Sequence, residues 1–364
     1  MASSEIGLAC ALGGGGWDAE VTSIMERIRS ADVGNRIQAA REIRRLTKTS
    51  PRHRRQLSGA VGPLVSMLQS DSLESGDAAI LALLNLAVRD ESNKIKIVEA
   101  GALDPLIHFL QSTNSSLQEY ATAALLTLSA SSINKPTISA SDAIPLLVRI
   151  LRDGNQQAKI DAVMALCNLS TIPENLIVIL PLQPIPSLIC LLKSCKKSSR
   201  TAERCSALLE SLASFDEGRT ALTAAEGGVL TVVQVLEEGS LRSREHAVGT
   251  LLTMCESDHC RYRELILKEG AIPGLLELTV QGTPKSQVKA RSLLQLLRSS
   301  RHERAELHAD ALDSIVCNIV SNIDGDDQAG KAKKMLAEMV QNSMEQSLRH
   351  LQQRAFVRER ERER

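Results

Sequence analysis

Residues 158–170 read AKIDAVMALCNLS, and versions of this segment recur along the chain at a near-constant interval. Ile160, Val163, Leu166 and Leu169 are three residues apart, so on a helix with about 3.6 residues per turn they form one apolar stripe. The alanines between them allow neighbouring helices to pack closely. The segment therefore predicts a helix buried along one face, and its recurrence predicts a stack of such helices.

Asn168 provides a reference position for this recurrence. The successive equivalents lie 40, 42, 41, 43, 42 and 42 residues apart, and they are Arg45, Asn85, Thr127, Asn168, Ser211, Thr253 and Gln295. A fixed period of this length is the signature of a helical repeat array. The sequence therefore predicts seven copies of one repeat.

A second pattern tests the first, because a true repeat is periodic in every part. The turn-and-helix start GALDPL at residues 101–106 has counterparts beginning 42, 41, 41, 44 and 43 residues apart, at Gly59, Gly101, Asp142, Gln183, Gly227 and Gly270. Glycine ends a preceding helix, and proline is tolerated in the first turn of the next one. Each unit is therefore predicted to contain a short first helix, a second helix with this start, and a longer third helix carrying the reference position.

The two periods indicate one elongated array instead of separate globular domains. We assign residues 17–299 to the array and residues 1–16, which end in four glycines, to a flexible N-terminal lead. Residues 300–355 are predicted to form C-terminal capping helices, and residues 356–364 a charged tail. Within the capping segment, a long helix near residues 329–355 has the alternative role of pairing two copies into a homodimer.

The composition argues against several classes of function. Lys plus Arg and Asp plus Glu are each 43, so no global field directs the protein to nucleic acid or membrane. Aromatic residues are only 2%, which argues against single-stranded nucleic-acid binding because such sites use aromatic stacking platforms. The eight cysteines are scattered, as in a reducing compartment, and no basic lead precedes residues 6–12 as in a signal peptide. We therefore expect a cytoplasmic or nuclear protein, or one found in both places.

The three-helix period, the Gly-Ala-Ile-Pro-like starts and the Ala-Leu-x-Asn-Leu ends at residues 82–86 and 165–169 resemble the armadillo repeat. More narrowly, the chain looks like the armadillo region of plant U-box proteins. The resemblance implies an all-α fold, a right-handed superhelix or α-solenoid of about seven repeats. It also implies a binding scaffold, with third helices along a concave groove.

The chain departs from related patterns in two ways. Armadillo proteins that carry nuclear-import cargo have tryptophan four residues before the reference asparagine, whereas this chain has none there and keeps the asparagine only at Asn85 and Asn168. No segment matches a U-box, so we expect that this chain by itself does not transfer ubiquitin.

The predicted groove consists of the reference positions and the residues four before them. Asparagine amides can donate to and accept from an extended peptide backbone, so Asn85 and Asn168 are the leading candidates for partner contact. The alternative is that each amide only bridges neighbouring helices. The predicted groove residues are Arg41, Arg45, Leu81, Asn85, Ala123, Thr127, Met164, Asn168, Ala207, Ser211, Gly249, Thr253, Arg291 and Gln295. Basic ends and an apolar middle favour a partner with acidic ends.

A basic cluster lies near the N-terminus, opposed only by Glu42. Besides Arg41 and Arg45, it contains Arg36, Arg44, Lys48, Arg52, Arg54 and Arg55. An acidic protein segment, a phosphate group or an anionic lipid could dock there; the alternative is a solvated cap. Docking to membrane or nucleic acid through this cluster is one rival function.

Catalysis has little support in the sequence. Cys255, His259 and Cys260 are close together, but no second pair with zinc spacing accompanies them, and no glycine-rich phosphate loop is present. We therefore expect no enzyme, no cofactor, no metal and no small-molecule substrate. The function predicted is a scaffold or adaptor that binds segments of other proteins, linked to ubiquitination through its family; the alternative is the substrate-binding part of an E3 ligase pathway.

Overall fold

The computed structural model describes residues 12–70 and 72–298, with the side chains described from residue 19 onward. Within these residues every regular element is a helix. The predicted capping helices (300–355) and charged tail (356–364) lie outside the described residues. The fold is an all-α solenoid, which confirms the predicted fold class.

Helices are numbered in chain order, and α1 (Leu12–Ile28) precedes the repeats. The third helices are α2 (Val33–Thr47), α5 (Leu73–Ala87), α8 (Ser115–Ser129), α11 (Gln156–Leu169), α14 (Arg200–Ala213), α17 (Leu241–Ser257) and α20 (Pro284–Arg298). Each contains one reference position, as predicted. The sequence therefore placed all seven third helices in the correct register.

The other helices complete six three-helix units. First helices are α3 (Pro51–Gln56), α6 (Glu91–Glu99), α9 (Asn134–Ser139), α12 (Pro173–Ile179), α15 (Asp216–Ala224) and α18 (His259–Lys268). Second helices are α4 (Val61–Leu68), α7 (Leu103–Gln111), α10 (Ala143–Asp153), α13 (Ile185–Ser194), α16 (Gly228–Glu238) and α19 (Ile272–Gln281). Together with α1 and α2, they give one two-helix unit followed by six complete repeats.

Local chemistry explains where the third helices begin. Six of them start after an Asp, Ser or Asn whose side chain accepts a backbone N–H of the first turn, which satisfies a donor with no intrahelical partner. These caps are Asp32, Ser72, Asn114, Asn155, Ser199 and Ser240. A polar residue before each apolar stripe therefore fixes the start of the helix.

The second helices follow a tight reversal of the chain. Gly101, Gly227 and Gly270 have positive φ angles of 85°, 62° and 77°, and Gln183 occupies the same repeat position with a φ of 55°. Glycine reaches this left-handed region without a steric penalty. The glycine in the second sequence pattern thus marks the reversal, and Gln183 adopts it despite its side chain.

The core is a continuous layer of aliphatic side chains. Two residues before each reference position lies a buried apolar residue, and the seven are Ile43, Leu83, Leu125, Leu166, Leu209, Leu251 and Leu293. Consecutive third helices pack directly on one another along the array. Each repeat thus buries its stripe against its neighbours, as a solenoid requires.

Buried polar side chains join successive repeats at the ends of the third helices. Asn93 is 1% exposed, and its Nδ2 donates to the carbonyls of Leu86, at the end of α5, and Arg54 in the preceding repeat. Asn134 makes the same pair of contacts one repeat later, to Leu128 and Lys94. These amides satisfy carbonyls that a helix end leaves without a partner.

The N-terminal boundary differs from the prediction. Helix α1 begins at Leu12, so residues 12–16, which the sequence analysis assigned to a flexible lead, belong to a helix. Four consecutive glycines favour a coil because glycine loses much conformational freedom in a helix. Here the amphipathic turns that follow continue backward through them.

No single described helix is long and apolar enough to cross a membrane. Two consecutive helical segments, residues 173–182 and 185–194, are together long and apolar enough by length and composition alone, but they meet at an angle of 86°.

Candidate protein-binding surface

The predicted groove residues lie along the stacked third helices, which we call the third-helix surface. Arg41, Arg45, Arg291 and Gln295 are exposed at its two ends. Nine others are half-buried: Leu81, Asn85, Ala123, Thr127, Met164, Asn168, Ala207, Ser211 and Thr253. The remaining one, Gly249, is buried. The sequence thus selected the accessible side of these helices at every position except Gly249.

The two reference asparagines bridge neighbouring third helices. Asn85 Nδ2 donates to the carbonyl oxygen of Arg44 at 2.8 Å, and Asn168 Nδ2 donates to Ser129 Oγ at 3.2 Å and to the Leu126 carbonyl at 3.4 Å. All three hydrogen bonds therefore run from a third helix to the preceding one. This is the bridging role that the sequence analysis left open as the alternative to partner contact.

The arginines at the N-terminal end are also engaged within the chain. Arg41 pairs with Glu74 at 2.6 Å, and Arg45 pairs with Glu20 at 3.0 Å. Because these guanidinium groups already have carboxylate partners, they offer less to the acidic end of a partner than the sequence suggested. Arg291 is exposed at the other end of the surface, and the acidic-ended partner stays a prediction.

The middle of the third-helix surface has an apolar floor. Leu81 on α5 and Met164 on α11 are half-buried, and the half-buried Leu84, Leu126 and Ile160 lie on the same three helices, α5, α8 and α11. Side chains that are partly exposed in this way lose water when a partner covers them. This floor can therefore supply binding energy to an apolar segment.

A row of carboxylates accompanies the floor, and the sequence analysis missed it. One acidic residue lies on each of five successive third helices with the same 42-residue spacing: Asp77, Glu119, Asp161, Glu203 and Glu245. Each is three or four residues before a predicted groove residue, so it lies about one helical turn away on the same side. We call these five residues the acidic row; counting charges at the repeat period would have revealed it.

Members of the acidic row also contact the start of the next third helix. Glu119 Oε2 accepts from Asn155 Nδ2 at 2.9 Å, and Glu245 Oε2 accepts from Thr283 Oγ1 at 2.5 Å. Glu203 lies 4.0 Å from a guanidinium nitrogen of Arg242. These acids therefore help to hold the repeats together while keeping part of their surface exposed.

Two members of the acidic row lie in an unfavourable electrostatic environment. Burial raises the pKa of Asp77, one oxygen of which is buried without a hydrogen-bond donor among the described residues. Burial also raises the pKa of Asp161, and the charge of Glu119 raises it further, against one hydrogen bond from Gln157. A cation placed beside either carboxylate would relieve this cost.

A charged cluster covers Gly249 in the C-terminal half of the surface. Glu210 Oε1 lies 2.6 Å from Lys289 Nζ, and Glu210 Oε2 lies 2.7 Å from His246 Nδ1. A Cβ atom added at Gly249 would lie 1.8 Å from Glu210 Oε1, so the missing side chain makes room for the pair. Gly249 is therefore a floor position that a partner cannot reach, contrary to the prediction.

Electrostatics favour the ionised form of this cluster. Burial alone would raise the pKa of Glu210, but the hydrogen bonds from His246 and Lys289 outweigh it, and the pKa of the carboxyl group lies below its usual value. Lys289 and Glu210 are 79 residues apart and lie on α20 and α14, so their pair spans α17. The cluster thus ties three successive third helices together.

The predicted basic cluster divides in two. Arg54 is 6% exposed and donates to the carbonyls of Thr47, Lys48 and Asn85, so it is a structural residue and not part of an exposed patch. Arg36 is half-buried. The exposed members are Arg41, Arg44, Arg45, Lys48, Arg52 and Arg55. A buried arginine that satisfies helix-end carbonyls cannot be recognised from charge pattern alone.

The cysteine and histidine group near residue 255 has no metal-site geometry. Cys255 is buried within α17, where burial raises the pKa of its thiol to about 11, whereas Cys260 is exposed. His259 Nε2 lies 2.8 Å from the Leu296 carbonyl oxygen. Across residues 12–70 and 72–298, no group of three or more His, Cys, Asp or Glu side chains could hold a metal ion.

Comparison with solved structures supports the fold. A crystal structure of an engineered protein has a TM-score of 0.66 at 23% identity, over 85% of this chain and 75% of that one. A second engineered protein gives a TM-score of 0.54 at 24% identity, over 65% of this chain and 96% of that one.

Comparison of sequences gives the family. U-box domain-containing protein 45 of Arabidopsis thaliana is 31% identical over 247 residues, which cover 67% of this chain and 31% of that protein. U-box domain-containing protein 17 of the same plant is 31% identical over 318 residues, 86% of this chain and 42% of that protein. The chain thus spans less than half of either relative. Residues 20–317 match the family model of the plant U-box protein ARM repeat region, so the chain belongs to that family of armadillo-repeat proteins.

Proposed function

We propose that this chain is a non-catalytic scaffold that binds segments of other proteins along its third-helix surface. The segment that fits best carries apolar side chains toward the floor and cationic side chains toward the acidic row. An armadillo solenoid suits such a role because stacked repeats present similar side chains at a regular rise.

The acidic row beside the apolar floor is the observation that carries this proposal. The floor supplies the apolar surface, and the carboxylates supply selection between partners of opposite charge. Asp77 is half-buried and poorly compensated in the free protein, so a cationic side chain beside it gains more than it would beside a well-solvated carboxylate.

A selection from random displayed peptides tests the proposal. The full chain is the bait, and the double variant Leu81→Gln/Met164→Gln serves as counter-selection. Enriched peptides should combine apolar residues with Lys or Arg, and they should lose about tenfold or more in affinity for the variant.

The matched control replaces two aliphatic residues outside the third helices. Ile177 and Val178 on α12 are 64% and 47% exposed. The variant Ile177→Gln/Val178→Gln should bind the selected peptides as well as the unmodified chain does. Peptides with acidic consensus sequences, or equal losses in both variants, would contradict the proposed surface.

The link to ubiquitination is the second part of the proposal. Its support is the family: the curated relatives named above are U-box domain-containing proteins. Proximity labelling in plant cells should mark ubiquitination enzymes around the unmodified chain and fewer around Leu81→Gln/Met164→Gln. A labelled set without such enzymes would remove this part and leave the scaffold intact. A fluorescent fusion in the same cells would check the proposed cytoplasmic or nuclear location.

A further inference from the structure

A cleft lies between the first two three-helix repeats, and none of its lining residues is among the predicted groove residues. The cleft has a volume of about 400 Å³. Its lining includes three cations from separate parts of the chain: Arg55 on α3, Arg89 in the turn after α5, and Lys96 on α6. Only Arg55 belongs to the basic cluster predicted from the sequence, because Arg89 and Lys96 come after it, in the turn after α5 and on α6.

Buried hydrogen bonds join the helices on both sides of the cleft. Buried Arg54 fixes α3 to the ends of α2 and α5 through the carbonyls of Thr47 and Asn85. Buried Asn93 fixes α6 to α3 through the Arg54 carbonyl at 3.0 Å. Lys96 Nζ donates to Ser58 Oγ at 2.9 Å across the cleft. The exposed cations therefore stand on a pre-organised frame.

The cations keep unused charge. Arg55, Arg89 and Lys96 are all exposed, and none forms an ion pair with another described residue. Arg89 also has a φ of 55°, a left-handed conformation that glycine would adopt more easily. An arginine in this place supplies a guanidinium group to the rim of the cleft at the cost of an unfavourable backbone conformation.

Two carboxylates, Asp90 and Glu91, also line the cleft, and each has a partner within the chain. Asp90 accepts the backbone N–H of Asn93 at 3.0 Å and so caps α6. Glu91 pairs with Lys94 at 3.2 Å. A broad anionic membrane would meet these carboxylates as well as the cations, whereas a single phosphate group needs contact with the cations alone. The mixed charge of the lining therefore favours one compact dianion over a charged surface.

We infer that this cleft binds a phosphorylated serine or threonine in a segment of a partner protein. Guanidinium groups bind phosphate oxygens through paired, charge-assisted hydrogen bonds, and Arg55 and Arg89 provide two such groups with Lys96 as a third cation. The cleft shares no residue with the predicted groove, so it would add a phosphorylation-dependent contact to the scaffold.

The test uses two degenerate peptide libraries on the immobilised full chain. One library has phosphoserine at its centre and the other has serine, with the same random flanks. The phosphoserine library should be retained selectively. The variant Arg55→Gln/Arg89→Gln should lower its retention about tenfold or more. If that variant failed to fold, as judged by circular dichroism, the single change Lys96→Gln at an exposed residue would take its place.

The matched control is Arg44→Gln/Lys48→Gln, which removes the same charge from exposed residues on and next to α2 that do not line the cleft. It should retain the phosphoserine library almost fully. Equal retention of both libraries, or an equal loss in this control, would overturn the inference.

Two further arms separate the sources of phosphate. Inorganic phosphate should displace the library only at much higher concentration than a selected phosphopeptide does; displacement at the same concentration would make this a free-phosphate site and overturn the inference. Vesicles of phosphatidylcholine and phosphatidic acid should bind the cleft variant and the unmodified chain alike. Vesicle binding that depends on the cleft, without selective retention of the phosphoserine library, would also overturn it in favour of a membrane.

Discussion

The two ends of the third-helix surface hold their repeats together in different ways. Between α2 and α5, the contacts join adjacent helices only: the exposed pair of Arg41 and Glu74, and the amide of Asn85 on the Arg44 carbonyl. Between α14 and α20, the half-buried Glu210 binds Lys289 across α17 as well as His246 on α17 itself.

This difference shows that one repeat register can give either an open or a filled surface. At Leu81 the floor position carries an accessible side chain, whereas the equivalent Gly249 is covered by the Glu210 and Lys289 pair. The proposed binding floor therefore lies on α5, α8 and α11, whereas contacts within the chain cover the equivalent position on α17.

The largest effect is expected at the core that both halves share. Leu169 is fully buried at the end of α11, between the open and the filled regions. The change Leu169→Ala should destabilise the protein by about 2–5 kcal/mol, because it leaves a cavity between packed helices. Urea unfolding followed by circular dichroism measures it. A loss below about 1 kcal/mol would contradict the register.

The filled region should contribute more stability than the exposed pair. The change Glu210→Gln should cost about 1–2 kcal/mol, because it removes a partly buried charge from two charge-assisted contacts. The matched change Arg41→Gln should cost under about 0.5 kcal/mol, since that pair is solvent-exposed. Equal losses would remove the distinction between the two ends.

The stabilising contribution of Glu210 should depend on pH. The pKa of Glu210 is lowered in the folded state, so its contribution is present above the unfolded value of 4.5 and is lost as the pH falls through the folded value. The stability difference between the unmodified chain and Glu210→Gln should therefore disappear in acid. A difference that persists there would mean that packing, and not charge, is responsible.

The amide bridge at the open end should have an intermediate effect. The change Asn85→Ala removes the hydrogen bond to the Arg44 carbonyl and should cost about 1 kcal/mol. Peptides selected on the third-helix surface should bind this variant nearly as well as the unmodified chain. A large loss of binding without loss of stability would restore partner contact as the main role of Asn85.

The smallest effect is expected at the acidic row, with the opposite sign. Burial raises the pKa of Asp161, so its ionised form destabilises the fold at neutral pH, and the cost fades as the pH falls toward 3.8. The change Asp161→Asn should stabilise the protein by under about 1 kcal/mol at pH 7. Thermal unfolding of the variant and the unmodified chain, at neutral and acidic pH, measures the stabilisation and its loss in acid. A variant less stable than the unmodified chain at pH 7 would contradict an unfavourable Asp161 charge.

Most of the fold could be predicted because repetition averages out local ambiguity. A single apolar segment such as residues 158–170 could be any buried helix, but seven copies at a near-constant period leave only a stacked array. The same averaging failed at the chain start, where one glycine run had no second copy to test it. The site was less predictable because the residue types that matter there differ between repeats.

Arg54 and Asn85 show why the roles of the site residues could not be predicted without the tertiary structure. Both resemble surface binding residues in a list of sequence positions, yet each donates to backbone carbonyls of a neighbouring helix. Arg89 and Lys96 show the converse, since they join Arg55 at one cleft from the next repeat. Hydrogen-bond partners and convergent charges depend on distances between helices, which no periodicity specifies.

The sequence by itself determined the repeat period, the seven third helices and the side of each helix that is buried, because these follow from where apolar and helix-ending residues recur. Only the tertiary structure decided that Gly249 is covered, that Arg54 is buried and that three cations converge on one cleft. Those outcomes depend on the paths that long side chains take between stacked helices. Periodicity gives the position of each such side chain on its helix, but the tertiary structure determines which residues it contacts.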